Sequence, residues 1–86
     1  MIRSTVKYIQ CGINRRGNFE YTIYDELQES SFTLSEVYFK VFQILRSYQE
    51  VNSKQIILKS LNIEESKYDE IVKFFRSNHL LDSGDP

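Results

Sequence analysis

Apolar residues alternate with polar ones up to about Leu34, and from there they recur at helical spacing. A chain written in this order places a small sheet first and a helical layer second, the pattern of an α+β domain. In the first part Val6, Tyr8 and Gly12 fall at even spacing, while Ile9 and Cys11 point the other way. Phe19, Tyr21 and Ile23 then share one face of a second alternating run. Between them lies Asn14-Arg15-Arg16-Gly17-Asn18, whose Gly and Asn residues accept the positive φ of a hairpin turn. A β-hairpin is expected, then a polar loop from Asp25 to Ser31 and a short third strand over Ser31-Phe32-Thr33-Leu34.

After the change of period, Val37, Val41, Ile44, Leu45 and Tyr48 mark a first helix from Leu34 to Tyr48. Tyr38, Phe39 and Phe42 widen its apolar stripe and make it the buried centre of the domain. Thr33 and Glu36 have the spacing of a capping box, and so do Asn52 and Gln55 ahead of a second helix carrying Ile56, Ile57, Leu58 and Leu61. Asn62 suits the positive-φ position that ends this helix. A third helix is expected over 64–78 with Tyr68, Ile71, Val72 and Phe75 inward, and Leu80-Leu81 closing the core. Residues 1–81 therefore form one winged-helix-like domain, with 82–86 a flexible tail or linker.

At 86 residues the chain holds a single domain whose thin core depends on large side chains, here six Phe and six Tyr. A lone Cys11 cannot close an internal disulfide, and Cys11 with His79 is too small a set for a structural zinc site. The apolar runs are far too short to span a bilayer, and the N-terminus lacks a secretory pattern, so a reducing, cytoplasmic setting is expected. The three glycines at 12, 17 and 84 make no phosphate loop. His79 falls on the inward stripe of the third helix, as a packing and capping residue rather than a base. Cys11 is an inert strand thiol, and the acids at 64, 65, 69 and 70 suit the positive end of the helix. The chain alone is expected to be a non-catalytic domain without cofactor or metal.

Two helices joined by the tight Leu61-Asn62-Ile63-Glu64 turn suggest a helix-turn-helix, and hence DNA. The charges oppose this. The third helix sets Lys67, Lys73 and Arg76 against Glu64, Glu65, Asp69 and Glu70, with acids concentrated where a recognition helix meets phosphate. The basic residues Arg3, Lys7, Arg15 and Arg16 gather near the hairpin, and the chain carries a net charge of −1.

Binding of a peptide or protein fits better. A small sheet has edges, and an unpaired edge is a template for an added strand. Projecting the third helix at about 100° per residue puts Tyr68, Val72, Phe75 and His79 on the core face. Lys67, Ile71, Phe74 and Asn78 form an adjoining stripe, and Phe74 there either covers the domain's own N-terminal segment or meets a partner. An extended peptide beside this stripe would gain main-chain hydrogen bonds from the strand and specificity from Phe74, Ile71 and Lys67.

Hairpin, short third strand and three helices ending in Leu80-Leu81 resemble the precursor peptide recognition element of ribosomally made, modified peptides, the PqqD-like domain. The likeness covers residues 5–81. It is closest over 51–65, followed by Tyr68 and Phe74-Phe75-Arg76-Ser77-Asn78, where the chain is similar to the N-terminal peptide-clamp domain of microcin C adenylating enzymes. The resemblance implies that the leader segment of a precursor peptide lies antiparallel along the third strand, in the cleft beside the third helix. Carried onto this chain, the site is Ser31, Phe32, Thr33 and Leu34 of the strand with Lys67, Ile71, Phe74 and Asn78 of the helix. The implied partners are a precursor peptide and a modifying enzyme, or an enzyme domain following a linker at Ser83-Gly84-Asp85. Two other readings stay open: a winged-helix transcriptional regulator, and an interaction domain that buries the Phe74 stripe against a folded partner. An open sheet edge would also allow a second copy to cap it, giving a homodimer.

Overall fold

In a computed structural model, described for residues 2–47 and 53–81, the chain is a small α+β domain: a three-stranded antiparallel sheet followed by three helices. Strands β1 (Val6–Ile13) and β2 (Phe19–Asp25) form the expected hairpin, and β3 (Ser30–Leu34) pairs with β2 to give the order β1-β2-β3. The hairpin turn is set by its own polar side chains. Asn14 Oδ1 accepts from the amides of Arg16 at 2.9 Å and Asn18 at 3.0 Å, and Gly17 takes φ 84°. This is an Asx turn closed by the residue that carries no Cβ penalty.

The alternation expected in β1 fails at one place. The register shifts between Tyr8 and Gln10, so Ile9 sits in a bulge and the parity of the strand reverses beyond it. Cys11 pairs with Tyr21 and Ile13 with Phe19, which puts them on the same face as Val6, Tyr8 and Ile23 instead of opposite. Gly12 moves to the other face, across from Glu20.

Helix α1 (Glu36–Ser47) lies on the inner face of the sheet and buries Phe39, Val41, Phe42 and Leu45. Thr33 belongs to β3, paired with Thr22, so it does not open a capping box; the chain leaves the sheet at Leu34 and the helix starts at Glu36. Tyr21 stacks on Phe39 at 4.1 Å, Phe39 meets Phe42, and Phe42 meets Phe75, an aromatic file running from sheet to last helix. Helix α2 (Ser53–Leu61) contributes Ile57, and Asn62 at φ 50° turns the chain into α3 (Glu65–Ser77). The expected cap at Asn52, the helix end at Tyr48 and the tail over 82–86 lie outside the described residues.

The end of α3 corrects the expectation for His79. His79 is exposed at φ 58°, its amide donates to the carbonyl of Arg76, and the amide of Leu80 donates to that of Phe75 at 2.9 Å. These two bonds make a Schellman motif with a histidine in the left-handed position that glycine usually fills. Leu80 and Phe75, which this motif brings together, are both fully buried.

Asp25, expected in a loop, closes β2 and is fully buried. Its Oδ1 accepts from Thr5 Oγ1 at 2.7 Å and the Leu27 amide at 3.1 Å, and its Oδ2 from Gln28 Nε2 at 2.6 Å. Gln28 Nε2 also reaches the carbonyl of Asn78 at 3.0 Å, tying the β2–β3 loop to the end of α3. Arg3 donates from its amide to the Leu80 carbonyl and from Nε to that of Leu81, and Ile2 bridges to Leu81. One polar knot therefore joins the first residues, the loop and the last turn. Burial raises the Asp25 pKa, yet the hydrogen bonds from Thr5, Gln28 and Leu27, with Arg3 nearby, together hold the carboxyl below its ordinary value. Among the described residues, no buried side-chain polar atom lacks a partner, and no helix is long and apolar enough to cross a membrane.

Candidate functional site

Strand β3 is an edge. It pairs with β2 on one side, and among the described residues no other strand pairs with it. Its side chains divide by parity: Phe32 and Leu34 turn toward the helices, while Ser31 and Thr33 are exposed. Leu34 is fully buried and anchors the strand; Phe32 is half-buried and packs at the margin of the core.

Beside this margin stands Phe74. Its ring meets Phe32 edge-on at 6.4 Å and Tyr38 edge-on at 5.5 Å, and rests against Phe75 at 5.5 Å. Such T-shaped contacts satisfy the ring quadrupoles and fix the side chain in place. Between the strand and this aromatic wall lies a cleft of about 300 Å3 lined by Thr33, Leu34, Ser35, Tyr38 and Phe74.

A charged rim sits over the wall. Tyr38 Oη donates to Glu70 Oε2 at 2.9 Å, Lys67 Nζ meets the same oxygen at 2.9 Å, and the ammonium stands 5.4 Å from the Tyr38 ring centroid. Burial pushes the Tyr38 phenol up, with the bond to Glu70 and its charge adding and Lys67 opposing. The Lys67–Glu70 bond raises the Lys67 pKa and lowers that of Glu70, so the rim is a closed ion pair at neutral pH.

The expected site residues separate into those that line the cleft and those that hold it. Thr33, Leu34 and Phe74 line it, Phe32 backs the wall, Lys67 crowns it and Ser31 is exposed along the strand. Ile71 does not face the cleft. It is fully buried, and with Phe75 it forms the true inward line of α3, so Ile71 supports the wall from within. Asn78 also lies off the cleft, where its Nδ2 caps the Phe74 carbonyl at 2.8 Å. Tyr38 and Ser35 enter instead. The sequence did signal Tyr38 as part of a widened apolar stripe, but not that its outer end would leave the core.

Beyond the end of β3 is a second, larger groove of about 590 Å3, lined in part by Thr33 and Ser35 as well. The basic residues of the hairpin do not gather into one patch: Arg3 is tied to the Leu80 and Leu81 carbonyls, and Lys7 stands 3.4 Å from Glu26. Among the described residues no three His, Cys, Asp or Glu side chains converge to hold a metal ion. No protein-family model, curated protein or solved structure matches this chain.

Proposed function

We propose that this domain is a non-catalytic module that binds an extended peptide as an added strand on β3, with apolar side chains of the peptide seated against Phe74 and Tyr38. The observation that carries the reading is a strand edge, unpaired among the described residues, lying beside a preformed aromatic cleft. The edge supplies main-chain hydrogen bonds to any sequence, and the cleft selects among side chains. With the resemblance to precursor peptide recognition elements, the peptide is the leader segment of a ribosomally made precursor, and the module presents it to a modifying enzyme or enzyme domain in the cytoplasm.

Charge placement disfavours the alternative of a winged-helix DNA binder. The first turns of α3 carry Glu65, Asp69 and Glu70, and the nearby Lys54 and Lys67 are engaged by Glu65 at 2.5 Å and Glu70 at 2.9 Å. Cations already paired with carboxylates release few counterions from phosphate.

The test is selection of binders from a random twelve-residue peptide display library, followed by titration of the 15N-labelled protein with a synthetic copy of a selected peptide. Amide shifts at 30–34 and 67–75, and slowed hydrogen exchange at alternate β3 amides, are expected. Shifts confined to another face, or an empty selection, would overturn the reading. Salt-sensitive affinity for random duplex DNA would favour the regulator instead, and shifts at Phe74 with β3 exchange unchanged would favour a folded partner.

A further inference from the structure

Strand β3 stops short of the hairpin it pairs with. Its last residue, Leu34, lies opposite Tyr21, so Phe19 and Glu20 of β2 run on with no β3 partner. The chain turns away at Ser35 to start α1, and the space left where β3 would have continued is the groove of about 590 Å3. One wall is the hairpin end with Phe19 and Glu20; the other is the first turn of α1 with Glu36 and Val37. Thr33 and Ser35 line both this groove and the aromatic cleft, so the two are continuous along the edge of the sheet.

The chemistry of the lining is one-sided. Glu20 and Glu36 supply two carboxylates and the lining includes no cation; Arg15 and Arg16 of the same turn are outside it. Glu20 Oε2 has a long 3.4 Å contact with Asn14 Nδ2 and, among the described residues, forms no ion pair. Glu36 acts as far as the sheet: the Tyr21 phenol is pushed up by burial first, then by Cys11 and by the Glu36 charge. Phe19 is 48% exposed and presents an aromatic ring to the same space. Two carboxylates and an open ring are the partners that a guanidinium or ammonium group on an aliphatic stem would take.

We propose that this gap is a subsite for a Lys or Arg located on the N-terminal side of the peptide segment docked on β3. The inference rests on the strand-addition reading and adds a charge requirement at one end of the guest. In a wholly antiparallel sheet the guest strand runs antiparallel to β3, because that ladder is the more stable one. Its N-terminal flank then passes Leu34 and enters the groove, while its C-terminal flank leaves past Ser30.

The experiment repeats the display selection on the wild-type domain and on a Glu20→Gln/Glu36→Gln variant, and maps the selected peptides by amide shifts. Wild-type selection is expected to enrich Lys or Arg just N-terminal to the strand segment, and the variant to lose that enrichment. The synthetic wild-type peptide should bind the variant about three- to tenfold more weakly, with the difference shrinking in high salt. Enrichment that is absent, unchanged in the variant, or on the C-terminal flank would overturn the subsite, while shifts at 30–34 would leave strand addition standing. Loss of the β3 shifts themselves would bring down both. Circular dichroism and a denaturant midpoint for the variant separate lost binding from lost fold.

Discussion

Phe74 stands edge-on to Phe32 across the margin of the sheet, with ring centroids 6.4 Å apart and planes at 86°. The pair joins the open strand to the last helix through two half-buried rings, and Phe75, next in the chain, is fully buried behind them. Neighbouring phenylalanines on one helix therefore do different work: Phe75 fills the core and Phe74 builds the cleft.

Truncating each should separate stability from binding. Phe75→Ala is expected to lose about 3–5 kcal/mol, as for a fully enclosed aromatic. Phe74→Ala should lose roughly 1–2 kcal/mol, from its edge contacts and partial burial, while abolishing the peptide-induced shifts at β3. Urea denaturation and peptide titration check the two together; equal destabilisation would make Phe74 a core residue.

Ile71 offers the complementary control. Because its side chain is fully enclosed behind the wall, Ile71→Val should cost about 0.5–1.5 kcal/mol with peptide affinity unchanged. A clear loss of affinity at unchanged stability would place Ile71 in the cleft after all.

The Schellman turn at His79 predicts a gain. A non-glycine residue in the left-handed region costs roughly 1–2 kcal/mol, and His79 sits there at φ 58° while exposed. His79→Gly should raise the denaturation midpoint by an amount equivalent to about 1 kcal/mol. No gain would mean that the imidazole makes a compensating contact.

Asp25 predicts how the fold responds to acid. Its folded-state pKa is depressed below the unfolded value, so its contribution is present above the unfolded carboxylate pKa and is lost as pH falls through the folded one. Stability should decline below about pH 4. Asp25→Asn should lower stability at neutral pH by about 1–3 kcal/mol, because an amide cannot accept from Thr5, Leu27 and Gln28 together, and should flatten the acid limb. Thermal melts of both proteins from about pH 3 to about pH 7, which span the carboxylate range, test this.

The order of elements was legible because period two and period 3.6 are separate signals, and the turn residues Gly17 and Asn62 marked their joints through backbone chemistry. Local pattern did not carry the parity of β1. A one-residue bulge at Ile9 is invisible in a run where apolar residues fall on both parities, and it reversed the faces of Cys11, Gly12 and Ile13. The rotation of α3 was also beyond the projection. Two adjoining apolar stripes, one through Tyr68 and Val72 and one through Ile71 and Phe74, look alike on a wheel. The deepest line, Ile71 to Phe75, runs between them because α3 packs on α2 while Phe75 meets Tyr38 and Phe42 of α1. The edge character of β3 and the place of Phe74 beside it could be read; the entry of Tyr38 from α1 depended on how two helices meet.

The Ile2–Leu81 bridge brings the two extremities of the fold side by side. Such a unit can be spliced into a surface loop of a host protein with short joints, since host and guest would share neighbouring attachment points. It also admits circular permutation: linking these extremities and reopening the chain at the turn over 62–64, where Asn62 and Glu64 are exposed, would cut into neither the aromatic cleft nor the groove beyond β3.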